Sequence, residues 1–238
     1  MTNVIVQDLF TGIDLTGVLA NAMLGGAMAR DERMHPVGFI TLAILSGLGG
    51  GMIRDTLLQH GTPVALTNPA YIPTALIGAA IAFFLPVGGR LWETAFPLVD
   101  ALALGCWAAT GASKTLAVGL AVLPALLLGT ITAVGGGVTR DIFLRRIPQV
   151  FAGGTLYTTS AVLASAVMVA LYRVGDPAIG LGCATVTGAG LTLLARWRGW
   201  GLPQAPEWRP RQAWSRAARS RRARSGGEPQ DSPPDSTE

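Results

Sequence analysis

Charged residues cut this chain into long uncharged runs. No Asp, Glu, Lys or Arg falls within residues 15–29, 34–53, 56–89, 101–113, 115–139, 147–172 or 177–195. A helix that crosses a bilayer needs about 20 mostly apolar residues. The runs therefore predict seven spanning helices, at residues 12–30, 36–57, 71–88, 97–114, 118–142, 153–173 and 177–196. Pro36, Pro97 and Pro177 each fall where a first helical turn would begin, a place that suits a fixed φ and a missing amide hydrogen. Seven successive apolar segments leave no polar faces for a soluble packing, so the fold class is read as an all-α membrane protein with seven transmembrane helices. From Gly199 onward the apolar pattern stops and proline, arginine and serine take over.

Composition agrees with lipid as the solvent. The chain is 50% hydrophobic and 13% charged, against about 25% charged in soluble domains. Its two cysteines, Cys106 and Cys183, lie inside apolar stretches and are expected to stay free. The first ten residues, MTNVIVQDLF, hold no lysine or arginine, so no signal-peptide start is expected. Arg30 with Arg33, Arg90, Arg145 with Arg146, and the tail fall on one side of the predicted helices; Lys114 and Arg173 fall on the other. The positive-inside rule then places the chain in the plasma membrane with the N-terminus outside and the C-terminus cytoplasmic. Residues 199–238 are read as a basic, largely disordered cytoplasmic tail, with WSRAARSRRARS (Trp214 to Ser225) as a second reading, a short helix on anionic membrane lipid. No nucleic-acid partner is expected of a chain buried in membrane.

One sequence occurs twice. GLGGGMIRD starts at Gly47 and AVGGGVTRD at Ala133, so Gly49 and Gly135 are 135 − 49 = 86 residues apart. The same offset carries Asp14 onto Asp100, Gly25 onto Gly111, Arg54 and Asp55 onto Arg140 and Asp141, and Leu58 onto Leu144. Each repeat holds three predicted helices. Three is odd, so the second copy enters the membrane from the opposite side, an inverted repeat of the kind that places functional sites near the bilayer midplane. The division expected is a first three-helix repeat at 8–90, an inverted second repeat at 94–174 and a seventh helix at 177–198, outside the symmetry.

Each glycine inside a helix costs about 1 kcal/mol relative to alanine. Two readings exist for Gly49, Gly50, Gly51 and their mates Gly135, Gly136, Gly137. The second and fifth helices bend or thin there and leave a path for a small solute, or the bare backbones let helices touch. The matched triplets, each followed by Arg-Asp, favour the path.

GLGGGMIRD, AVGGGVTRD, the NPAY at Asn68 to Tyr71 and GASKTL at Gly111 to Leu116 resemble the prokaryotic trimeric intracellular cation (TRIC) channels, also called UPF0126 or the glycine-transporter-domain family. The resemblance covers about residues 8–196. It implies a protomer of two inverted three-helix repeats plus a closing helix, assembled as a homotrimer. It also implies one hourglass pore per protomer, kinks at both glycine triplets, and permeability to potassium and other monovalent cations. The second family name reflects a proposal of glycine uptake, so a secondary transporter for glycine or another small amino acid stays open as the alternative.

Ionisable residues inside a membrane are functional candidates. Arg54–Asp55 and Arg140–Asp141 are read either as cross-paired ion pairs that brace or gate the pore, or as helix-end groups snorkelling to headgroups. Lys114, in GASKTL, is read as a gate or tuning residue, or as an interface lysine. Asp14 and Asp100 are read as acids near the two mouths, or as carboxylates that complement helix N-termini. Tyr71, Tyr157 and Trp107 are expected at the interface belt or in packing. Ser46, Thr130 and Thr132 lie one turn before the triplets, where a hydroxyl serves a freed carbonyl or an ion. His35 and His60 both lie in predicted loops, and no catalytic triad, metal-ligand cluster or phosphate loop is legible, so no enzyme activity, cofactor or metal is expected.

Overall fold

A computed structural model of the chain describes residues 2–148, 150–151 and 156–201; the tail read as disordered lies outside the described residues from 202 on. Eight helices follow one another: α1 (Thr2–Asp31), α2 (Pro36–Leu58), α3 (Val64–Thr67), α4 (Tyr71–Phe84), α5 (Gly89–Ala117), α6 (Val122–Phe143), α7 (Tyr157–Val174) and α8 (Pro177–Arg198). Among the described residues, α2, α5, α6, α7, α8 and the Asp8–Asp31 stretch of α1 are long and apolar enough to cross a membrane, and α4 is a shorter apolar helix. The predicted second and fifth spans are α2 and α6.

Local chemistry sets the boundaries. Pro36 and Pro177 do open their helices, and each follows a side-chain cap: His35 Nδ1 accepts from the Gly38 amide at 3.3 Å, and Asp176 from the Ile179 amide at 3.1 Å. Pro97 does not open a helix; it lies inside α5, which starts at Gly89. At about 1.5 Å per residue, α5 is long enough to stand out of the hydrocarbon layer, so Arg90 and Glu93 do not stop it. Gln59 and Arg145, 86 residues apart, both take the left-handed conformation just past α2 and α6. Arg30, at the end of α1, donates to the carbonyls of Ala82 and Phe83 and so satisfies the open C-terminus of α4.

Alanine dominates the buried interior, and many large apolar side chains, such as Val37, Leu57, Phe84, Leu91, Leu123 and Val186, face outward. Lipid replaces water as their neighbour, so small residues inside and large ones outside is the favourable sorting. α1, α2 and α4 pack together, as do α5, α6 and α7; α2 meets α6, α1 meets α5, and α8 lies against α5 and α7. Cys106 and Cys183 are both free.

Candidate functional site

α2 and α6 meet at the glycine triplets. A Cβ added to Gly50 would fall on the Thr132 carbonyl oxygen, and one added to Gly136 on the Ser46 carbonyl oxygen. A Cβ on Gly135 would lie 2.9 Å from the Gly50 Cα, and one on Gly49 3.4 Å from the Gly136 Cα. The triplets are thus the contact of two backbones. The bends expected from sequence are not accompanied by any break: both helices run unbroken, Pro36–Leu58 and Val122–Phe143. The i to i−4 hydrogen-bond ladder survives because neighbouring helices support the backbone, and tertiary contact overrides the weak propensity of glycine. Gly51 and Gly137 differ. Their nearest neighbours would be the guanidinium groups of Arg54 and Arg140, at 3.8 and 3.7 Å, and each lines a cavity.

One cavity of about 130 Å³ is lined by Asp14, Ser46, Gly50, Lys114, Thr132 and Gly136 among others. Asp14, Tyr71, Thr110 and Lys114 also border an open vestibule of about 800 Å³. A second cavity, of about 230 Å³, is lined by residues that include Asn21, Asp100, Gly137, Arg140, Tyr157 and Thr192. Each cavity draws on both repeats, and the second also on α8.

The Arg-Asp pairs belong to these cavities. Arg54 and Asp55 are only 6% and 4% exposed, and Arg140 and Asp141 5% and 4%, so they do not snorkel to a membrane surface. Each arginine pairs with the aspartate that follows it. Arg54 Nε donates to Asp55 Oδ1 at 2.8 Å, and Arg140 Nε and Nη2 to Asp141 Oδ1 at 2.9 and 2.8 Å. Burying such charges is tolerable only when they are paired. Asp55 gathers two further donors: Lys114 Nζ from α5 at 2.7 Å and the Val64 amide, the start of α3, at 2.9 Å. Lys114 is therefore a cavity-lining bridge between the two halves. Its counterpart in the first half, at 114 − 86 = 28, is Met28, so the second Arg-Asp pair receives no lysine from that place.

Asp14 and Asp100 lie well inside α1 and α5, not in first turns, so they do not complement the helix N-termini. Asp14 accepts from the Tyr71 hydroxyl and from Trp107 Nε1 at 2.6 Å. Asp100 accepts from the Tyr157 hydroxyl at 3.1 Å and Asn21 Nδ2 at 3.3 Å. Each carboxylate precedes its tyrosine by 57 residues, and Asn21 and Trp107 are 107 − 21 = 86 apart. Each half thus lends one donor to the other half's aspartate. These roles for Tyr71, Tyr157, Trp107 and Asn21 were missed in the sequence, although the shared offset was the available signal. Among the described residues neither Asp14 nor Asp100 takes part in an ion pair. Thr130 and Thr132 give their hydroxyls to Leu126 and Leu128 carbonyls, at 2.8 and 2.6 Å, whereas the Ser46 hydroxyl has no partner among the described residues.

Known proteins share this arrangement of sequence and fold. The family model described as Glycine transporter matches residues 11–86 and again 97–173. A UPF0126 membrane protein of Deinococcus radiodurans is 36% identical over 63% of this chain and 70% of its own length. The UPF0126 inner membrane protein YadS of Escherichia coli K12 is 30% identical over 77% and 88%. A solved TRIC cation channel superposes with a TM-score of 0.76 at 30% identity, covering 83% of this chain and 96% of that one. The TRIC trimeric intracellular cation channel orthologue from Rhodobacter sphaeroides gives 0.72 at 28% identity, over 81% and 99%.

Proposed function

This chain belongs to the TRIC/UPF0126 family of membrane proteins, and we propose that it is a homotrimeric channel for monovalent cations, potassium foremost, with one pathway per protomer. The observation that carries the reading is the pair of cavities at the glycine triplets, one lined by Gly50, Gly51 and Gly136 and the other by Gly137, in a chain similar to TRIC cation channels. Voids bordered by charged and hydroxyl side chains are unusual within an apolar helix bundle, and their place beside the glycine triplets gives a route that a cation can follow. α2 and α6 are in contact at the crossing, so conduction requires them to part there. The Lys114–Asp55 bridge ties α5 to α2 beside that contact and serves as the gate element.

The route follows an inverted-repeat plan of seven spans, with the N-terminus outside and the C-terminus cytoplasmic. The contacts that recur at the 86-residue offset support that plan, as does the double match of the family model. The description of that model as a glycine transporter favours the second reading, uptake of glycine or a similar small amino acid.

Reconstitution in a planar bilayer with asymmetric KCl tests the proposal. Unitary currents that reverse near the potassium equilibrium potential support the channel. Silence there, together with labelled glycine accumulating in proteoliposomes, replaces it with the transporter.

A further inference from the structure

Two buried side-chain hydroxyls among the described residues have no hydrogen-bond partner: Ser46 Oγ and Thr192 Oγ. The residues are 1% and 6% exposed. Leaving a buried hydroxyl unpaired is costly, and a helix offers a ready remedy in the carbonyl one turn back. Thr185 and Thr187, on the same helix as Thr192, take it at 2.7 Å, toward Leu181 and Cys183. Thr132, the counterpart of Ser46 at 46 + 86, takes it toward Leu128 at 2.6 Å.

Local sequence does not force the open hydroxyl. Leu-Gly-Cys, three residues, Thr-Gly-Ala, two residues, Thr-Leu occurs at Leu104 to Leu116 in α5 and again at Leu181 to Leu193 in α8, an offset of 181 − 104 = 77. Thr115 holds the place of Thr192 in that pattern and donates to the Gly111 carbonyl at 2.7 Å. The same pattern thus closes one hydroxyl and leaves the other facing a cavity.

Both open hydroxyls line a cavity together with a carboxylate outside any ion pair. Ser46 shares the first cavity with Asp14, and Thr192 shares the second with Asp100. The remaining carboxylates there, Asp55 and Asp141, are neutralised by their adjacent arginines. Arg196 also borders the second cavity but is exposed. One carboxylate and one hydroxyl, both oxygen donors, suit a hard cation held weakly enough to leave. Among the described residues no group of three or more His, Cys, Asp or Glu converges, which disfavours a divalent ion.

We propose that each cavity is a binding position for a partly dehydrated monovalent cation, Asp14 with Ser46 in the cavity lined by Gly50 and Gly136, and Asp100 with Thr192 in the cavity lined by Gly137. This deepens the channel reading and rests on it. It also gives α8 a function. Thr132 has spent its hydroxyl on its own helix, so the second half lacks an equivalent of Ser46, and α8 supplies one from outside the repeats.

Crystals of the full chain grown in RbCl test the sites directly. The expected result is rubidium anomalous density beside Ser46 and beside Thr192. Thr192→Val should abolish only the second peak and Ser46→Ala only the first, while Thr192→Ser keeps both. Removing one hydroxyl ligand should also lower the potassium current by about fivefold. A conducting protein with no rubidium in either cavity overturns this inference and leaves the channel standing; so does rubidium that ignores Thr192→Val. Rubidium at both sites in a protein that passes no current sinks the channel and keeps the sites.

Discussion

Gly50 and Gly51 are neighbours with opposite expected responses to alanine. A methyl on Gly50 meets the Thr132 carbonyl oxygen, with the Thr132 carbonyl carbon at 3.0 Å and the Gly136 nitrogen at 3.3 Å. All of these are backbone atoms and cannot rotate away, so α2 and α6 must separate. Overpacking of this kind costs about 1–3 kcal/mol, and the upper half of that range applies because no side chain can yield. Gly136→Ala meets Ser46 in the same way. Gly51→Ala finds only the end of Arg54, at 3.8 Å, and Gly137→Ala the end of Arg140, at 3.7 Å. For these two the helix-propensity gain of up to about 1 kcal/mol goes unopposed. Equilibrium unfolding of the four variants in detergent micelles should therefore place Gly50→Ala and Gly136→Ala about 3 kcal/mol below Gly51→Ala and Gly137→Ala. The double variant Gly50→Ala with Gly136→Ala should cost less than the sum, since one separation relieves both clashes. Equal stability of Gly50→Ala and Gly51→Ala would refute the contact geometry.

Other perturbations separate the ion pairs from the hydrogen-bonded acids. Lys114→Met should cost only about 1–2 kcal/mol, because Asp55 keeps Arg54 and the Val64 amide; Asp55→Asn, which strips a buried arginine, should cost about 3–5 kcal/mol. Chemical unfolding ranks the two, and the reverse order would be wrong for this geometry. Tyr71→Phe and Tyr157→Phe should each lose about 1.5–3 kcal/mol, because each hydroxyl donates to a carboxylate. A thermal scan that finds either one neutral would contradict its hydrogen bond. Glu32→Gln removes the ion pair with Arg146, whose side chains are 44% and 45% exposed. The loss should stay below about 1 kcal/mol and shrink further in high salt.

Hydropathy located the long helices, though not α3 or the early start of α1, because lipid demands a long apolar run wherever the chain crosses and the interruptions by charge are legible residue by residue. It failed at Pro97 and at the start of α5, where a helix continues past the apolar layer and charge no longer marks its end. The 86-residue repeat was equally legible and named Gly50, Gly136, Asp14, Asp100 and both Arg-Asp pairs, while Lys114 stood out in GASKTL. Their roles were not legible. Whether a glycine triplet bends a helix or seats another one depends on what lies opposite, and the opposing Thr132 and Ser46 carbonyls are set by the crossing of α2 and α6. Asn21, Trp107 and Thr192 reach the cavities through contacts between helices far apart in the chain. Sequence records which side chains are available and at what period. Only the packed bundle decides which of them face one another, because that depends on the relative rotation and depth of helices that no local rule couples.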